Sequence, residues 1–295
     1  RTIRSQGFRR SEPSIKRDNI KKTSSLNPTF LAIIPSVMQK IVECVPNFSE
    51  GRNLSKIRKI ANSAKKIRGV KVLDMEWDKS HNRCLVTIVG APEPVSRAAF
   101  EMIKTATKLI EMRIHKGEHP SIGATDVVPF VPVSGVTIKE CVVLANKLGK
   151  KVANELRIPV YLYEAAAKRA DRVNLADVRR GEYEVLKEEI ETNPERKPDH
   201  GPSKMHPTGG AMAIGARKYL VAFNVNLNTK NIEIAKKVAS RIREKDGGLP
   251  GIKALGFAVG GYAQVSMNLV DFEKTNFDEA YWAIEKEAKK FEVSI

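Results

Sequence analysis

The spacing of hydrophobic and polar residues becomes regular from Ile41 onward, and it changes period from segment to segment. Apolar positions at helical spacing predict helices over 53–68 and 93–111. Short apolar runs bounded by turn residues predict four strands, over 41–45, 69–77, 84–92 and 125–133. The predicted order is β-α-β-β-α-β, which is the split βαβ or ferredoxin-like arrangement.

The last of these strands, over 125–133, carries Pro129 and Pro132. Proline has no backbone N–H to give to a neighbouring strand, so this strand is predicted to lie at an edge or to be irregular. A helix over 137–156, a strand over 159–164 and a short helix around 174–180 are predicted to follow.

A similar order of predicted strands and helices begins again after a long stretch that lacks apolar periodicity, residues 188–210. The second set reads β-α-β-β-α, over 219–227, 231–245, 254–259, 263–271 and 276–291. We therefore predict an α+β fold with two ferredoxin-like (βαββαβ-type) subdomains, residues 38–218 and residues 219–295. The second is expected to be truncated, because its sixth strand would begin where the sequence stops. Residues 1–37 show no such pattern and are expected to be a disordered or non-native extension.

The composition allows two kinds of partner. Lys and Arg number 51 against 34 Asp and Glu, which gives a net charge of +17 and makes a nucleic-acid-binding ferredoxin-like module an alternative. Most of these charges fall along predicted helices, which is typical of a solvated face. RNA-binding sheets of this kind also need aromatic residues, and the strands over 84–92 and 125–133 offer Phe130 alone. A basic surface equally suits a small anionic substrate.

Cysteine content and hydropathy bear on the compartment. Cys44, Cys84 and Cys141 are odd in number and far apart, which is atypical of a disulfide framework and favours a reducing cytoplasm. No apolar run reaches the roughly 18 to 20 residues of a membrane span, so no membrane association is expected.

Two of the five histidines, His115 and His119, stand four residues apart just ahead of the strand over 125–133. That spacing suits a metal on a helix, but Gly117 and Pro120 disfavour a helix there and no third ligand follows, so no metal site is predicted. His115 is expected to end the preceding helix. Either the two residues are loop histidines without a role, or one is a general base.

The stretch over 200–218 is rich in glycine, which lets the backbone approach a flat ligand closely. A ligand-lining segment is predicted, with a flexible linker as the alternative; "GGAMAIG" matches no phosphate-binding motif. Polar residues at the ends of the first strands would line one rim of the sheet. Those taken as candidate substrate contacts are Asn47, Glu76 and Arg83.

Several motifs together point to one family. "VECVPNFSEGRN", "HKGEHPSIGATDVVPFVPV", "RRGEYE" and "HGPSKMHPTGGAMAIGARKYLVAFNVNL" resemble the formiminotransferase domain of glutamate formimidoyltransferases. The resemblance covers essentially 40–295. It implies two ferredoxin-like subdomains with a ligand tunnel between them, commonly in a homodimer. The reaction that it implies moves a formimino group from N-formiminoglutamate to N5 of tetrahydrofolate, in histidine degradation.

The resemblance also implies roles for particular residues. The family's catalytic histidine falls on His119 and not on His115, and tetrahydrofolate is the co-substrate. N-formylglutamate is an alternative donor that the sequence does not separate from N-formiminoglutamate. The folate-lining segment falls on Gly201, Pro202, Ser203, Lys204, Met205, His206, Pro207, Thr208, Gly209 and Gly210.

Overall fold

The structure, a computed structural model, describes residues 39–295; the segment 1–37, expected to be an extension, lies outside them. The described chain forms two β-sheets, each covered by helices. The helices are α1 Leu54–Lys65, α2 Pro92–Leu109, α3 Ile138–Leu156, α4 Leu175–Val178, α5 Glu182–Glu189, α6 Ile232–Ile242 and α7 Phe277–Lys289. None of the helices in this range is both long enough and apolar enough to cross a membrane.

The first sheet has seven strands. They are β1 Ile41–Cys44, β2 Asn47–Phe48, β3 Val70–Asp78, β4 Arg83–Gly90, β5 Thr125–Ser134, β6 Val160–Glu164 and β7 Met212–Ala216. β1 and β2 lie end to end between β4 and β5, and β3 flanks β4. These pairings are antiparallel, whereas β7 joins β5 and β6 in parallel.

The helices form where the sequence supplies both an apolar face and a cap. In α1, Asn53 accepts a hydrogen bond from the Lys56 N–H, and the apolar face is buried on the sheet. In α3, Thr137 and Glu140 form a reciprocal capping box. Their apolar faces and that of α2 cover one side of the sheet and enclose fully buried strand residues such as Phe48, Ile88 and Phe130.

β5 is not an edge strand, so that prediction is wrong. It lies between β1 and β2 on one side and β7 on the other, and its first seven residues are buried. Its pairing is irregular, as was also predicted: the register shifts beside Pro132, where β1 steps between Ile41 and Val42. The irregularity lets a proline without an N–H sit in the interior of a sheet.

The strand β7 and the helix α5 were not predicted. β7 reads Met-Ala-Ile-Gly-Ala and is buried throughout, although alanine and glycine are poor strand formers. Gly215 fits because a Cβ there would lie 2.6 Å from the ring of Tyr163 on β6. The chain passes from this sheet to the second one between Ala216 and Val221.

The second sheet has three antiparallel strands in the order β8-β10-β9. They are β8 Val221–Leu227, β9 Ile252–Val259 and β10 Tyr262–Leu269. α6 and α7 bury one face of this sheet. After α7 the Ser294 carbonyl accepts a hydrogen bond from the Asn228 N–H at 2.8 Å. The prediction of an α+β fold with two subdomains is confirmed, while the ferredoxin-like class and the tunnel stay predictions.

The open face of the second sheet meets the first subdomain. A Cβ on Gly256 would lie 2.4 Å from the backbone N of Lys236 in α6, so α6 lies directly against β9 there. Side chains alternate along a strand, and Phe257 therefore points to the opposite face. On that face Lys253 forms an ion pair with Glu164 at the end of β6, with 2.9 Å between Nζ and Oε1.

Candidate active site

Three rings meet between the two subdomains: His81 and His119 from the first and Phe257 from the second. We call them the ring cluster. The Phe257 centroid is 5.4 Å from that of His81, edge to face, and 6.4 Å from that of His119, nearly parallel. The two imidazole centroids are 6.1 Å apart. Both histidines are half-buried.

The local chain fixes which nitrogen of His119 is available. His119 lies in the loop between α2 and β5, and its Nδ1 is 2.8 Å from the Pro120 carbonyl oxygen. A carbonyl can only accept, so Nδ1 carries the hydrogen and Nε2 keeps its lone pair. Burial, followed by the positive charges of Arg83 and Arg179, lowers the pKa of His119 to about 2. The ring is therefore a neutral imidazole at physiological pH, as a general base must be before it acts.

A buried carboxylate between two guanidiniums stands beside His119. Asp126 is fully buried; Arg83 Nη1 donates to its Oδ2 at 2.7 Å, and Arg179 Nη2 donates to the same oxygen. The Ile122 N–H donates to the other oxygen at 3.1 Å. Burial alone would raise the pKa of Asp126, but Arg179 and Arg83 outweigh it and bring the pKa to about 2. Two guanidiniums and one carboxylate leave this cluster one net positive charge.

The three candidate substrate residues lie on one face of the first sheet. Glu76 pairs with Leu85, and Leu85 pairs with Asn47, so these residues form a row across β3, β4 and β2. Arg83, two residues along β4, donates to Asn47 Oδ1 at 3.0 Å from Nη2. Glu76 is exposed, and within residues 39–295 its side chain makes no hydrogen bond or ion pair. Asn47 and Arg83 are thus in contact, while Glu76 stands apart on the same face.

His115 occupies a different environment. α2 ends at Leu109 and Ile110 is already extended, so the prediction that His115 ends a helix is wrong. Its Nδ1 is 3.3 Å from Asn82 Nδ2, and both residues line a cavity of about 570 Å³ together with Arg52 and Lys56. Burial lowers the pKa of His115. Only one histidine of this pair therefore belongs to the ring cluster.

The glycine-rich segment 201–210 is built into the first subdomain. His206 Nδ1 accepts the N–H groups of Thr208 and Gly209, at 3.3 and 2.9 Å, and closes a tight turn. The Gly209 carbonyl then accepts the Ala124 N–H at 2.8 Å, at the start of β5. Upstream of the segment, the His200 carbonyl accepts the Val160 N–H at 2.9 Å. The flexible-linker alternative is wrong, because backbone hydrogen bonds hold the chain at both ends of the segment.

Gly210 is required by the backbone rather than by a ligand. Its φ is +68°, and a Cβ would lie 2.5 Å from the Ile122 carbonyl oxygen. Beside it, His206 and Thr208 line a cavity of about 500 Å³ with Lys104 and Lys108 of α2. The segment thus combines a structural turn with a concavity whose charged lining is two lysines and two glutamates, Glu111 and Glu155.

Sequence reasoning gave no role to Arg179, His81 or Phe257. Arg179 stands in the quoted "RRGEYE" motif, which was the one available signal. His81 and Phe257 meet only through the contact between subdomains. In the part of the chain that the structure describes, no group of three or more His, Cys, Asp or Glu side chains is placed to hold a metal ion.

Comparison with known proteins gives consistent matches. A family model described as the formiminotransferase domain, N-terminal subdomain, matches residues 41–217, and one described as the formiminotransferase domain matches residues 222–295. The chain is 46% identical over 260 residues to the glutamate formimidoyltransferase of Streptococcus pyogenes serotype M1, covering 88% of this chain and 87% of that one. It is 48% identical over 257 residues to the glutamate formimidoyltransferase of Thermoplasma acidophilum, covering 86% and 84%.

A longer relative aligns with only part of its length. The formimidoyltransferase-cyclodeaminase of Rattus norvegicus is 44% identical over 267 residues, which is 88% of this chain and 49% of the relative. The chain therefore spans about half of that bifunctional protein.

Proposed function

The chain belongs to the formiminotransferase domain family, and from this membership we propose that it is a glutamate formimidoyltransferase. It transfers the formimino group of N-formimino-L-glutamate to N5 of tetrahydrofolate, giving 5-formiminotetrahydrofolate and glutamate. Membership in a transferase family favours this function over the nucleic-acid-binding alternative. The observation that carries the chemistry is the neutral His119 imidazole, with Nε2 free, beside a cluster of net positive charge.

His119 acts as the general base. N5 of tetrahydrofolate attacks the amidine carbon, and His119 Nε2 takes the proton that N5 must lose. In the simplest form of the reaction the same nitrogen returns this proton to the glutamate nitrogen as the old C–N bond breaks. Holding both substrates between the subdomains supplies the orientation that this transfer needs.

The positive cluster suits an anionic donor. N-formiminoglutamate carries two carboxylates, and one of them beside Arg83 and Arg179 offsets the charge that disfavours imidazolium at His119. The donor thereby raises the pKa of the base that acts on its co-substrate. Glu76, exposed on the same face of the sheet, is free to pair with the cationic amidine, and Asn47 holds Arg83 in place.

The folate site is the segment 201–210 with the adjoining cavity. Apart from Gly210, which the backbone itself requires, its glycines and its small residues permit close approach to a flat pterin. Lys104 and Lys108 line the cavity beside His206 and Thr208 and can pair with the carboxylates of the folate tail, while Glu111 and Glu155 of the same lining balance their charge. No metal is needed for this chemistry. The resemblance adds two further parts of the proposal, a homodimer and a cytoplasmic location; sedimentation equilibrium tests the former and cell fractionation the latter.

The direct test is turnover with two donors. Purified protein is supplied with tetrahydrofolate and either N-formiminoglutamate or N-formylglutamate, and the folate product is identified by its absorbance and mass. We expect product from the formimino donor. Product from the formyl donor alone would replace this assignment with formyl transfer, and absence of product from both would overturn it.

A lysine pair tests the folate segment. Gly210→Val is unsuitable for this test, because the positive φ and the close Ile122 carbonyl predict a folding defect. Lys204→Ala is expected to weaken folinic acid binding about two- to five-fold, the loss of one exposed ion pair. Isothermal calorimetry at low salt measures it. Lys197→Ala removes another exposed charge just before the segment and should leave the affinity for folinic acid unchanged. If both substitutions weaken binding equally, the segment is not part of the folate site.

A further inference from the structure

A second imidazole of the ring cluster has no part in the mechanism above. The side chain of His81 is 17% exposed, lies on the turn between β3 and β4, and faces His119 across 6.1 Å between centroids. Among residues 39–295, no protein atom hydrogen-bonds to Nε2 of either ring. Two neighbouring imidazoles whose Nε2 atoms have no protein partner give the site two groups that can exchange protons with a ligand.

Asp78 holds His81 by two hydrogen bonds. Its Oδ1 accepts the backbone N–H of His81 at 2.6 Å and lies 2.9 Å from the ring Nδ1. A carboxylate at this distance fixes the ring orientation, assigns the Nδ1 hydrogen and stabilises an imidazolium when one forms. Burial tends to raise the pKa of Asp78, but the hydrogen bonds from His81 outweigh it and lower the pKa, so the carboxylate stays ionised.

The two rings stand in opposite electrostatic surroundings. His119 lies beside the Arg83–Asp126–Arg179 cluster, whose net charge is positive and disfavours imidazolium. His81 has a carboxylate as its partner, and β9 contributes the uncharged ring of Phe257. One ring is thus oriented by a carboxylate and the other is flanked by guanidiniums, and this difference in partners is what distinguishes the roles of the two imidazoles.

We infer that His81 is the general acid of the transfer, an inference that rests on the proposed function. His119 Nε2 takes the proton from N5 as the bond from N5 to the amidine carbon forms. His81 Nε2 gives its proton to the glutamate nitrogen as the bond from that nitrogen to the same carbon breaks, and glutamate leaves as an amine. His119 then holds one proton more and His81 one fewer, and solvent returns both rings to their starting states.

Two variants test the acid, and both are assayed with N-formiminoglutamate and tetrahydrofolate. His81→Gln is expected to lower kcat about 10²-fold, at the low end of the range for a lost acid or base. The Kd of folinic acid and the Tm should stay unchanged. Asp78→Asn keeps the imidazole but removes its carboxylate, so it should lower kcat less and in the same direction.

The pH profile separates a proton donor from a packing role. An acid works only while it holds its proton, so the parent's kcat should decline on the basic side of its pH profile, and His81→Gln should lack that decline. The charged and titratable groups around His81 are Asp78 on its own turn, His119 on the loop before β5, Glu118 of the same loop, whose N–H donates to the Ser80 carbonyl at 3.2 Å, and, beyond them, Arg83, Asp126 and Arg179.

His200→Gln is the matched control, because His200 is also half-buried but bonds Asn146 through Nε2, away from the ring cluster. It should keep the parent's kcat. The inference is wrong if His81→Gln keeps the parent's kcat. It is also wrong if His81→Gln loses kcat but its kcat still declines at basic pH. In both cases turnover by the parent would still support the proposed function. If His81→Gln does not fold, Asp78→Asn with unchanged kcat decides against it. If the parent protein shows no turnover, both the proposed function and this inference are wrong.

Discussion

His119→Ala is expected to lower kcat by about 10²–10⁴-fold, the range for a lost general base. The ring is neutral, its Nε2 is free, and it stands at the contact between the subdomains. The substitution removes a group that acts mainly in the transition state, so kcat and kcat/KM should fall together. Affinity for folinic acid should change little. Steady-state kinetics with calorimetry on the same preparations measures both quantities.

His115→Ala is the control, because His115 is the other half-buried histidine of the same loop. It lines a separate cavity and contacts Asn82, so its loss should cost stability of about 1 kcal/mol, typical of one hydrogen bond, and leave kcat near that of the parent. Equal losses of kcat in the two variants would indicate that the loop has a binding or structural role instead of a catalytic one. A fully active His119→Ala would do the same.

The pH dependence of His119 has a definite sign. Its pKa is lowered from 6.5 to about 2 in the folded protein, so the stability that it contributes is present above 6.5 and is lost as the pH falls toward 2. The free protein should therefore show no acidic limb from His119 in kcat/KM near neutral pH. An acidic limb in kcat is expected only with the anionic donor bound, and it should vanish in His119→Ala.

Asp126→Ala is expected to destabilise the fold by about 3–5 kcal/mol, the cost of removing one partner from a buried ion pair. Arg83 and Arg179 are each 12% exposed and would be left facing each other without a counter-charge. The Ile122 N–H would also lose its acceptor. Urea unfolding followed by circular dichroism measures the free energy.

Asp171→Ala is the matched control, since Asp171 pairs with Arg169 on the surface, where both side chains are exposed. Its cost should be about 1 kcal/mol or less. The pKa of Asp126 is lowered from 3.8 to about 2, so its contribution is present above pH 3.8 and disappears as the pH falls through 2. Similar costs for the two variants would show that the buried cluster is not what holds β4, β5 and α4 together.

Periodicity predicted the elements whose burial is one-sided. α2 and α3 came out within two residues of their observed bounds because their apolar faces repeat at helical spacing. β7 did not, because a strand buried on both faces has no alternation and "MAIGA" has only one β-branched residue. For β5 an edge position and an irregular strand were both predicted, because the sequence shows the prolines but not the register shifts that accommodate them in the interior.

The residues of the candidate site also differ in whether the sequence alone could predict them. The sequence identified His119 because the residues that fix its position, Pro120 and the strand that follows, are its neighbours in the chain. The family motif around it is also dense. The partners of His119 come from distant parts of the chain: Arg179 follows it by sixty residues and Phe257 belongs to the other subdomain. Contacts of this kind depend on tertiary packing, so no window of the sequence contains them.

The position of β7 ties the interior of the first sheet to the segment that we propose binds folate. β5 and β6 precede β7 in the chain, so the two strands leave a gap that Met212–Ala216 closes last. Gly210 and Ala211 pair with Gly123 and Ile122 just before β7 begins, so the turn over 206–210 must form for β7 to enter in register. We therefore expect the turn and the sheet interior to open together as one cooperative unit. A ligand bound to that turn is then expected to protect the strands of the sheet from hydrogen exchange by mass action, beyond the residues that it touches.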